Sequence, residues 1–251
     1  MAAKGLKNKA LVYNRLAKPP VYLQSSFRGN MSYSMPAAVR KTAVLAALAL
    51  SMGAGTALAQ EKGDVSAGAT KAATCTACHG LNGNSVNPEW PVLAGQNAAY
   101  LRDQITRFRE GKRSNPLMQP MVQNLTNQDV ADLAAFFATQ TPTGNEADPS
   151  FWKAGEKLYR GGDAGRGIPA CMACHGPVGR GIPAAAIPAL QTQHSVYTIK
   201  QLNDYAAEMR YTKDAEGKPQ AGANAQMMNV IAARLSPEDR RNVASYIQGI
   251  R

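Results

Sequence analysis

The feature that most constrains this chain is a cysteine-histidine unit that it carries twice. The segment CTACHG at 75–80 recurs as CMACHG at 171–176, an offset of 96 residues. Further matches follow at an offset of 97, and matches near the two ends at an offset of 110. Matches at nearly constant offsets are typical of a duplicated structural unit. The matched pairs are Pro91/Pro188, Leu93/Leu190, Gln96/Gln193, Tyr100/Tyr197, Gln104/Gln201, Phe108/Tyr205, Leu125/Leu235, Thr126/Ser236, Asp129/Asp239 and Phe136/Tyr246.

The duplication also sets the expected domain boundaries. The segment TQTPTGNEADP at 139–149 is polar and contains two prolines, which is typical of a linker. We therefore predict one domain over 60–142 and a second over 143–251. Domains this small bury a modest fraction of their surface and often need an additional stabilising group. We therefore expect a bound group to fill the core of each domain.

Residues 1–59 have the layout of a leader. A basic pair at 40–41 precedes an apolar run at 42–52, and a small-x-small cleavage site follows at 57–59. This order predicts a secretory signal peptide and export, in a bacterium to the periplasm. The alternative is an uncleaved single-span anchor, for which the run is short. The residues before Met31 are unusual for an export signal, so Met31 or Met35 is an alternative start of translation.

The excess positive charge lies in this leader. Of the 28 Lys and Arg residues, eight fall in 1–59, which contains no Asp or Glu. Residues 60–251 therefore carry 20 basic and 17 acidic groups. Nucleic-acid binding needs a basic patch on a folded domain, so we predict no nucleic-acid partner.

No apolar run reaches the roughly 18 residues of a confident membrane span, which excludes a multi-span membrane protein.

Both copies have the pattern of helical domains. Apolar residues at i, i+4 and i+7 over 101–108, and the matching face over 198–209, predict one helix in each copy. Thr126 and Ser236, each followed by an aspartate, are typical helix N-caps for the last helix of each copy. An earlier helix should lead into each cysteine pair. We therefore expect an all-α fold with three to five helices per copy.

The cysteines indicate what fills the two cores. All four lie in the repeated unit, as pairs three residues apart that are followed directly by histidine. Two thiols at this spacing can bond to the two vinyl groups of a haem while the histidine reaches the iron, which is the signature of c-type haem attachment. The sequence therefore predicts two covalently bound haems c, held by Cys75, Cys78 and His79 and by Cys171, Cys174 and His175.

Three other uses of the cysteines are less compatible with the sequence. Four isolated cysteines in an exported protein would usually form two disulfides, but the spacing and the adjacent histidine indicate haem. A thioredoxin-like redox pair would need a βαβ context, which the sequence lacks. A zinc site would need a fourth ligand in each copy, and nothing in the sequence suggests one.

Methionines are the candidates for the second iron ligand. They are Met118 and Met121 in the first copy and Met209, Met227 and Met228 in the second. Met118 precedes Leu125 by seven residues and Met228 precedes Leu235 by seven, so the duplication favours Met118 and Met228. The alternative role for any of them is core filling, because Met packs well into irregular gaps.

His194 is the only histidine outside the two motifs. It aligns with Asn97 at the offset of 97, close to the start of a predicted helix. Ligation of one iron by two histidines is therefore an alternative, but we expect His194 to be an exposed residue at the helix start.

With these motifs in place, the chain resembles the dihaem class I cytochromes c of the cytochrome c4 family over about residues 62–251. The resemblance is carried by the two CxxCHG motifs, the stretch PVLAGQ at 91–96 and the paired C-terminal helices. It implies two tandem class I cytochrome c-like helical domains, each built around a haem between histidine and methionine. It also implies that the carbonyls of Pro91 and Pro188 accept the ring N–H of the preceding motif histidines. The second copy departs from the pattern by insertions near 161–169 and 213–225.

Coordination then suggests the function. An iron capped by histidine and methionine has no vacant position, so it passes single electrons rather than binding a substrate. We predict a periplasmic electron carrier, not an enzyme, that is soluble or loosely attached to the membrane. The resemblance implies transient redox partners, a quinol-oxidising complex upstream and a terminal oxidase downstream. The alternatives are a dihaem enzyme with one open iron, such as a peroxidase or a sulfur-compound dehydrogenase, or a fixed haem subunit of a larger complex.

Overall fold

Each copy of the duplicated unit folds into five α-helices joined by long loops. The computed structural model describes residues 62–251, so the predicted leader and signal peptide over 1–59 lie outside the described residues. The N-terminal lobe consists of α1 (Val65–Lys71), α2 (Thr76–His79), α3 (Ala98–Arg109), α4 (Met118–Val122) and α5 (Asn127–Thr139). The C-terminal lobe consists of α6 (Trp152–Gly161), α7 (Met172–His175), α8 (Ser195–Ala206), α9 (Ala223–Ala233) and α10 (Pro237–Gly249).

Residues 62–251 contain isolated β-bridges but no strand, which confirms the all-α prediction. The segment between Thr139 and Trp152 contains no helix, and the predicted boundary at 142/143 falls within it. None of the helices in this described part of the chain is both long enough and apolar enough to cross a membrane.

The last helix of each lobe begins at the predicted N-cap. Thr126 accepts a hydrogen bond from the backbone N–H of Asp129, and the Asp129 carboxylate accepts the N–H of Thr126 in return. Ser236 and Asp239 form the same capping box at the start of α10. Each box satisfies two backbone donors that the first turn would otherwise leave unpaired.

The first and last helices of each lobe cross at a glycine. Gly68 of α1 lies so close to α5 that a Cβ there would collide with the carbonyl of Asp132. Gly155 of α6 meets the carbonyl of Asn242 of α10 in the same way. Only glycine permits such close backbone approach, so these crossings fix the frame that carries the cysteine motifs.

The apolar clusters of the two lobes differ in size. The cluster of the N-terminal lobe is built on Leu101, Leu133 and Phe137, with two buried alanines. That of the C-terminal lobe is larger, and its buried members are Leu158, Tyr159, Ile168, Leu235, Val243, Tyr246, Ile247 and Ile250.

The insertions predicted in the second copy form closed turns. Asp163 and Ile168 exchange backbone hydrogen bonds around a 3-10 turn at Ala164–Arg166. Lys213 and Pro219 form a second bridge before α9, the helix that carries Met228. The first insertion therefore follows directly on α6, and the second leads into the first turn of α9.

Candidate functional site

Each cysteine motif folds into a short helix that aims its side chains to one side. Cys75 and Cys171 are the N-cap residues of α2 and α7, and His79 and His175 are the last residues of those helices. Positions i, i+3 and i+4 share one face of a helix, so both thiols and the imidazole of each motif lie on a common face. None of the four cysteines is in a disulfide.

The glycine after each histidine ends its helix. Gly80 and Gly176 have φ of 72° and 79°, a conformation that favours glycine. A Cβ at Gly80 would also collide with the carbonyl of Asn84. The motif CxxCHG therefore includes its final glycine for a structural reason.

Both motif histidines are buried and held by a proline carbonyl. His79 Nδ1 lies 2.9 Å from the oxygen of Pro91, and His175 Nδ1 lies 3.0 Å from that of Pro188. Because a carbonyl only accepts, each Nδ1 must carry the proton, and Nε2 keeps its lone pair free for a metal. Burial lowers the pKa of both imidazoles, which favours the neutral ring.

The methionines separate into half-buried and exposed side chains. Met118 is the first residue of α4 and is half-buried, with its backbone N–H donating to Asn115 Oδ1 at 3.0 Å. Met228 on α9 is also half-buried. The alternatives are more exposed, with Met121 at 55%, Met227 at 54% and Met209 at 74%. Burial therefore favours the same two methionines that the duplication favours.

Two buried arginines form a feature that the sequence interpretation missed. Arg113 and Arg210 are 9% and 4% exposed, and no carboxylate within residues 62–251 forms an ion pair with either. Arg113 donates to Gln104 Oε1 at 2.7 Å and to Gln201 Oε1 at 3.0 Å. Arg210 donates to the Tyr100 hydroxyl at 2.7 Å, and its Nε and Nη1 find no partner in the described chain. Burial raises the pKa of Tyr100 to about 12, so that hydroxyl stays neutral and supplies no negative charge.

A buried cation with free donors needs an anion, because leaving it unpaired costs several kcal/mol. A haem carries two propionate carboxylates, so the orphaned donors of Arg210 fit a haem whose propionates reach this cluster. The signal was present in the sequence, since Arg113 and Arg210 are separated by the same 97 residues as the matched tyrosines and glutamines.

The prediction that His194 is exposed is wrong. It does precede α8, as expected, but it is 5% exposed, and its Nε2 donates to the carbonyl of Ser85 in the N-terminal lobe at 2.8 Å. A pattern of local spacing could not reveal this, because the burying partner comes from 109 residues away.

Comparisons with known proteins agree with this geometry. The family model described as Cytochrome c matches residues 65–141 and 153–251. Cytochrome c4 of Pseudomonas aeruginosa is 44% identical over 207 residues, which is 82% of this chain and 98% of that protein. The crystal structure of reduced recombinant cytochrome c4 from Pseudomonas stutzeri matches with a TM-score of 0.68 at 40% identity, covering 75% of this chain and 100% of that one.

A relative that is not named as a cytochrome c4 has a lower sequence identity. The thiosulfate dehydrogenase electron acceptor of Thiomonas intermedia is 34% identical over 182 residues, which is 70% of this chain and 78% of that protein. Together with the two motifs, the matches show that this chain carries two covalently bound c-type haems, one at Cys75 and Cys78 and one at Cys171 and Cys174. The chain therefore belongs to the cytochrome c4 family of dihaem electron carriers.

Proposed function

We propose that this chain carries single electrons in the periplasm from a quinol-oxidising complex to a terminal oxidase. In this proposal the iron of one haem is held by His79 and Met118, and that of the other by His175 and Met228. The proposal rests on one observation above all: both lobes place a buried histidine and a half-buried methionine at matched positions of the repeat.

The chain's own residues keep each iron closed to substrates. The carbonyls of Pro91 and Pro188 fix the orientation of the imidazoles and increase their basicity toward a metal. The haems supply one-electron redox chemistry, and histidine-methionine ligation raises their potential. Two prolines, Pro116 and Pro120, stiffen the backbone on either side of Met118 and limit the motion of its thioether.

A carrier of this kind needs transient contacts with its partners. Small interfaces around exposed haem edges would allow fast binding and release. Near the attachment motifs, Leu81 and Val86 are 77% and 92% exposed, which supplies apolar contact surface for such docking. We propose no nucleic-acid partner, since residues 60–251 are nearly balanced in charge.

The similarity to a thiosulfate dehydrogenase electron acceptor supports an alternative electron donor for this chain. In that reading the chain accepts electrons from a sulfur-oxidising enzyme instead of a quinol-oxidising complex. The name of that relative assigns the sulfur chemistry to its partner, and so it supports a carrier role for this chain rather than an enzyme with an open iron.

Rapid-mixing kinetics would test the proposal and separate the two donors. The oxidised holoprotein is mixed with a reduced quinol-oxidising complex or with a thiosulfate-reduced dehydrogenase, and reduction of its haems is followed by absorbance. We expect fast reduction by the quinol-oxidising complex and fast reoxidation by a terminal oxidase. Fast reduction by the dehydrogenase alone would favour the second donor, and oxidation of thiosulfate by the isolated chain would contradict a carrier role.

Export and loose membrane attachment also belong to this proposal. We propose that the signal peptide directs the chain to the periplasm and that cleavage precedes Gln60. N-terminal sequencing of protein released from the periplasm should begin at Gln60, whereas retention of residues 42–52 in a membrane fraction would indicate an anchor.

A further inference from the structure

Two glutamines at matched positions of the duplication each reach into the opposite lobe. Gln193 Oε1 accepts the backbone N–H of Val92 at 2.9 Å, and its Nε2 donates to the carbonyl of the same residue at 3.0 Å. Gln96 Oε1 accepts the backbone N–H of Ala189 at 2.7 Å, and its Nε2 donates to the carbonyl of Ala189 at 2.9 Å. Both glutamines are buried, at 8% and 7% exposure. The contacts are therefore reciprocal, and each lobe supplies one amide to the other.

The peptides that these glutamines bind are the ones that hold the motif histidines. The N–H of Val92 belongs to the peptide group whose carbonyl is that of Pro91, the acceptor of His79 Nδ1. The N–H of Ala189 belongs to the peptide group of Pro188, the acceptor of His175 Nδ1. A continuous path of two hydrogen bonds through one planar peptide group thus joins each histidine to a glutamine of the other lobe.

The orientation of each amide is fixed from both ends. Gln193 Oε1 also accepts the backbone N–H of His194 at 3.2 Å, and Gln96 Oε1 accepts that of Asn97 at 3.0 Å. Each oxygen therefore faces two N–H donors while each nitrogen faces a carbonyl. Swapping the amide oxygen and nitrogen would lose all of these contacts, so the acceptor must point at the peptide.

Peptide resonance transmits the effect of that acceptor. When a peptide N–H donates to an oxygen, electron density moves toward the carbonyl of the same group, which becomes a stronger acceptor. A stronger acceptor on Nδ1–H gives the imidazole more anionic character and increases its basicity as a ligand. A more basic ligand stabilises the oxidised iron and lowers the reduction potential of its haem.

We propose that Gln193 is a positioning residue for His79 and that Gln96 is a positioning residue for His175, so that each lobe tunes the haem of the other. The inference rests on the ligation of iron by these histidines in the proposed function. Its distinguishing property is crossed specificity, since a change in one lobe should alter the haem of the opposite lobe. A merely structural contact would instead loosen both lobes together.

The test uses the holoprotein with both haems attached. Gln193→Met and Gln96→Met keep the length of the side chain and remove its polar atoms. His194→Phe is the matched control, because it removes a buried hydrogen bond between the lobes that touches neither proline peptide. Potentials are measured by spectroelectrochemical titration, and the ring Nδ1–H resonance of each ligating histidine is followed by NMR in the reduced state.

We expect Gln193→Met to raise the potential of the N-terminal haem and move the Nδ1–H resonance of His79 upfield, with His175 unchanged. Gln96→Met should give the mirror image. Each change should alter the electron-exchange equilibrium between the haems by about two- to tenfold, the range of one net hydrogen bond. If one variant fails to retain both haems, the other still provides the crossed test.

The outcomes separate this inference from the proposed function. A shift at the haem of the substituted lobe, equal shifts at both haems, or no shift in either variant would overturn the inference. A similar shift in His194→Phe would overturn it as well. The absorption of a methionine–iron bond in the unsubstituted protein tests the ligation itself, so its absence would reject the proposed function independently of the glutamines.

Discussion

The two lobes share a helix crossing but stabilise it by different means. In the N-terminal lobe, Lys71 of α1 forms ion pairs with Asp132 at 2.6 Å and Asp129 at 2.7 Å. The Asp132 side chain is only 3% exposed and also accepts the backbone N–H of Asp64 at 2.8 Å. Leu158 follows Gly155 by three residues, as Lys71 follows Gly68, and Asn242 matches Asp132 at the repeat offset of 110.

In the C-terminal lobe an apolar side chain takes the place of the lysine. Leu158 belongs to the buried apolar cluster, and Asp239, the capping aspartate, pairs with Arg166 of the insertion at 2.6 Å. Arg166 is 46% exposed, so this pair lies near the surface. One fold can therefore stabilise the same helix crossing with a buried charge network or with apolar packing. The two crossings should respond differently to substitution and pH.

The largest expected effect comes from removing one haem. Cys75→Ser combined with Cys78→Ser should abolish attachment in the N-terminal lobe, halve the haem content and unfold that lobe, because its apolar cluster is the smaller one. Haem absorbance per chain and limited proteolysis would check this. Cys171→Ser with Cys174→Ser is the matched variant, and we expect its lobe to retain more protease resistance. A resistant N-terminal lobe without haem would contradict the claim that haem fills its core.

The next largest effect concerns the methionine ligands. Met118→Ala should remove the methionine–iron charge-transfer absorption of one haem and lower its potential, since methionine ligation raises it. Half of the absorption should remain. Met121→Ala is the control and should leave both haems unchanged, because that side chain is exposed. Met228→Ala and Met227→Ala give the same comparison in the second lobe, and full absorption in Met118→Ala would reject the assignment.

The charged crossing of the N-terminal lobe can be converted into the apolar kind by substitution. Lys71→Leu alone should lower the melting temperature of the N-terminal lobe by several degrees, because it leaves the Asp132 carboxylate buried without its cation. Lys71→Leu with Asp132→Asn copies the C-terminal solution and should recover most of the loss at neutral pH. Calorimetry on the holoprotein would measure both, and a double variant less stable than the single one would contradict the interpretation.

Acid should weaken the N-terminal crossing. Pairing with Lys71 and hydrogen bonding by Thr126 lower the pKa of Asp129 to about 2, and the pKa of Asp132 is lowered by the backbone N–H of Asp64 and by Lys71. Carboxyls with depressed pKa values stabilise the fold above their unfolded value of about 3.9 and lose that contribution as pH falls toward the folded value. Unfolding of the N-terminal lobe should therefore grow easier from about pH 4 to about pH 2.

The double variant Lys71→Leu with Asp132→Asn supplies the control for this pH dependence. It should reduce the loss of stability of the N-terminal lobe in acid and leave the pH dependence of the C-terminal lobe unchanged. Hydrogen exchange resolved by lobe would measure both responses. An unchanged acid response in the double variant would show that other groups cause it.

The smallest expected effect is at the exposed pair of the C-terminal lobe. Arg166→Gln should change the melting temperature little, because exposed ion pairs are screened by water and salt. A loss as large as that of Lys71→Leu would mean that the two lobes do not differ in the way proposed.

Local patterns predicted most of the fold and much of the site. The capping residues and the apolar periodicity each act within a few residues, so they predicted α3, α5, α8 and α10 without further information. The short helices of the cysteine motifs themselves were not predicted. The duplication favoured Met118 and Met228 over the other methionines, because matched offsets compare two copies of one unit. Their ligation of iron stays a prediction.

Contacts between the lobes could not be predicted from local sequence patterns. The burial of His194, the reach of Gln96 and Gln193 and the meeting of Arg113 with Arg210 depend on how two distant parts of the chain pack. A repeat offset can show that such residues are paired in sequence, but it cannot show whether they face solvent, their own lobe or the other one.

The ferric absorption spectrum of the unsubstituted holoprotein shows whether histidine and methionine cap both irons. We expect a methionine–iron charge-transfer band with the intensity of two haems and no high-spin iron. A band with the intensity of one haem, accompanied by high-spin absorption, would reveal an open iron and contradict the closed coordination on which the carrier role depends.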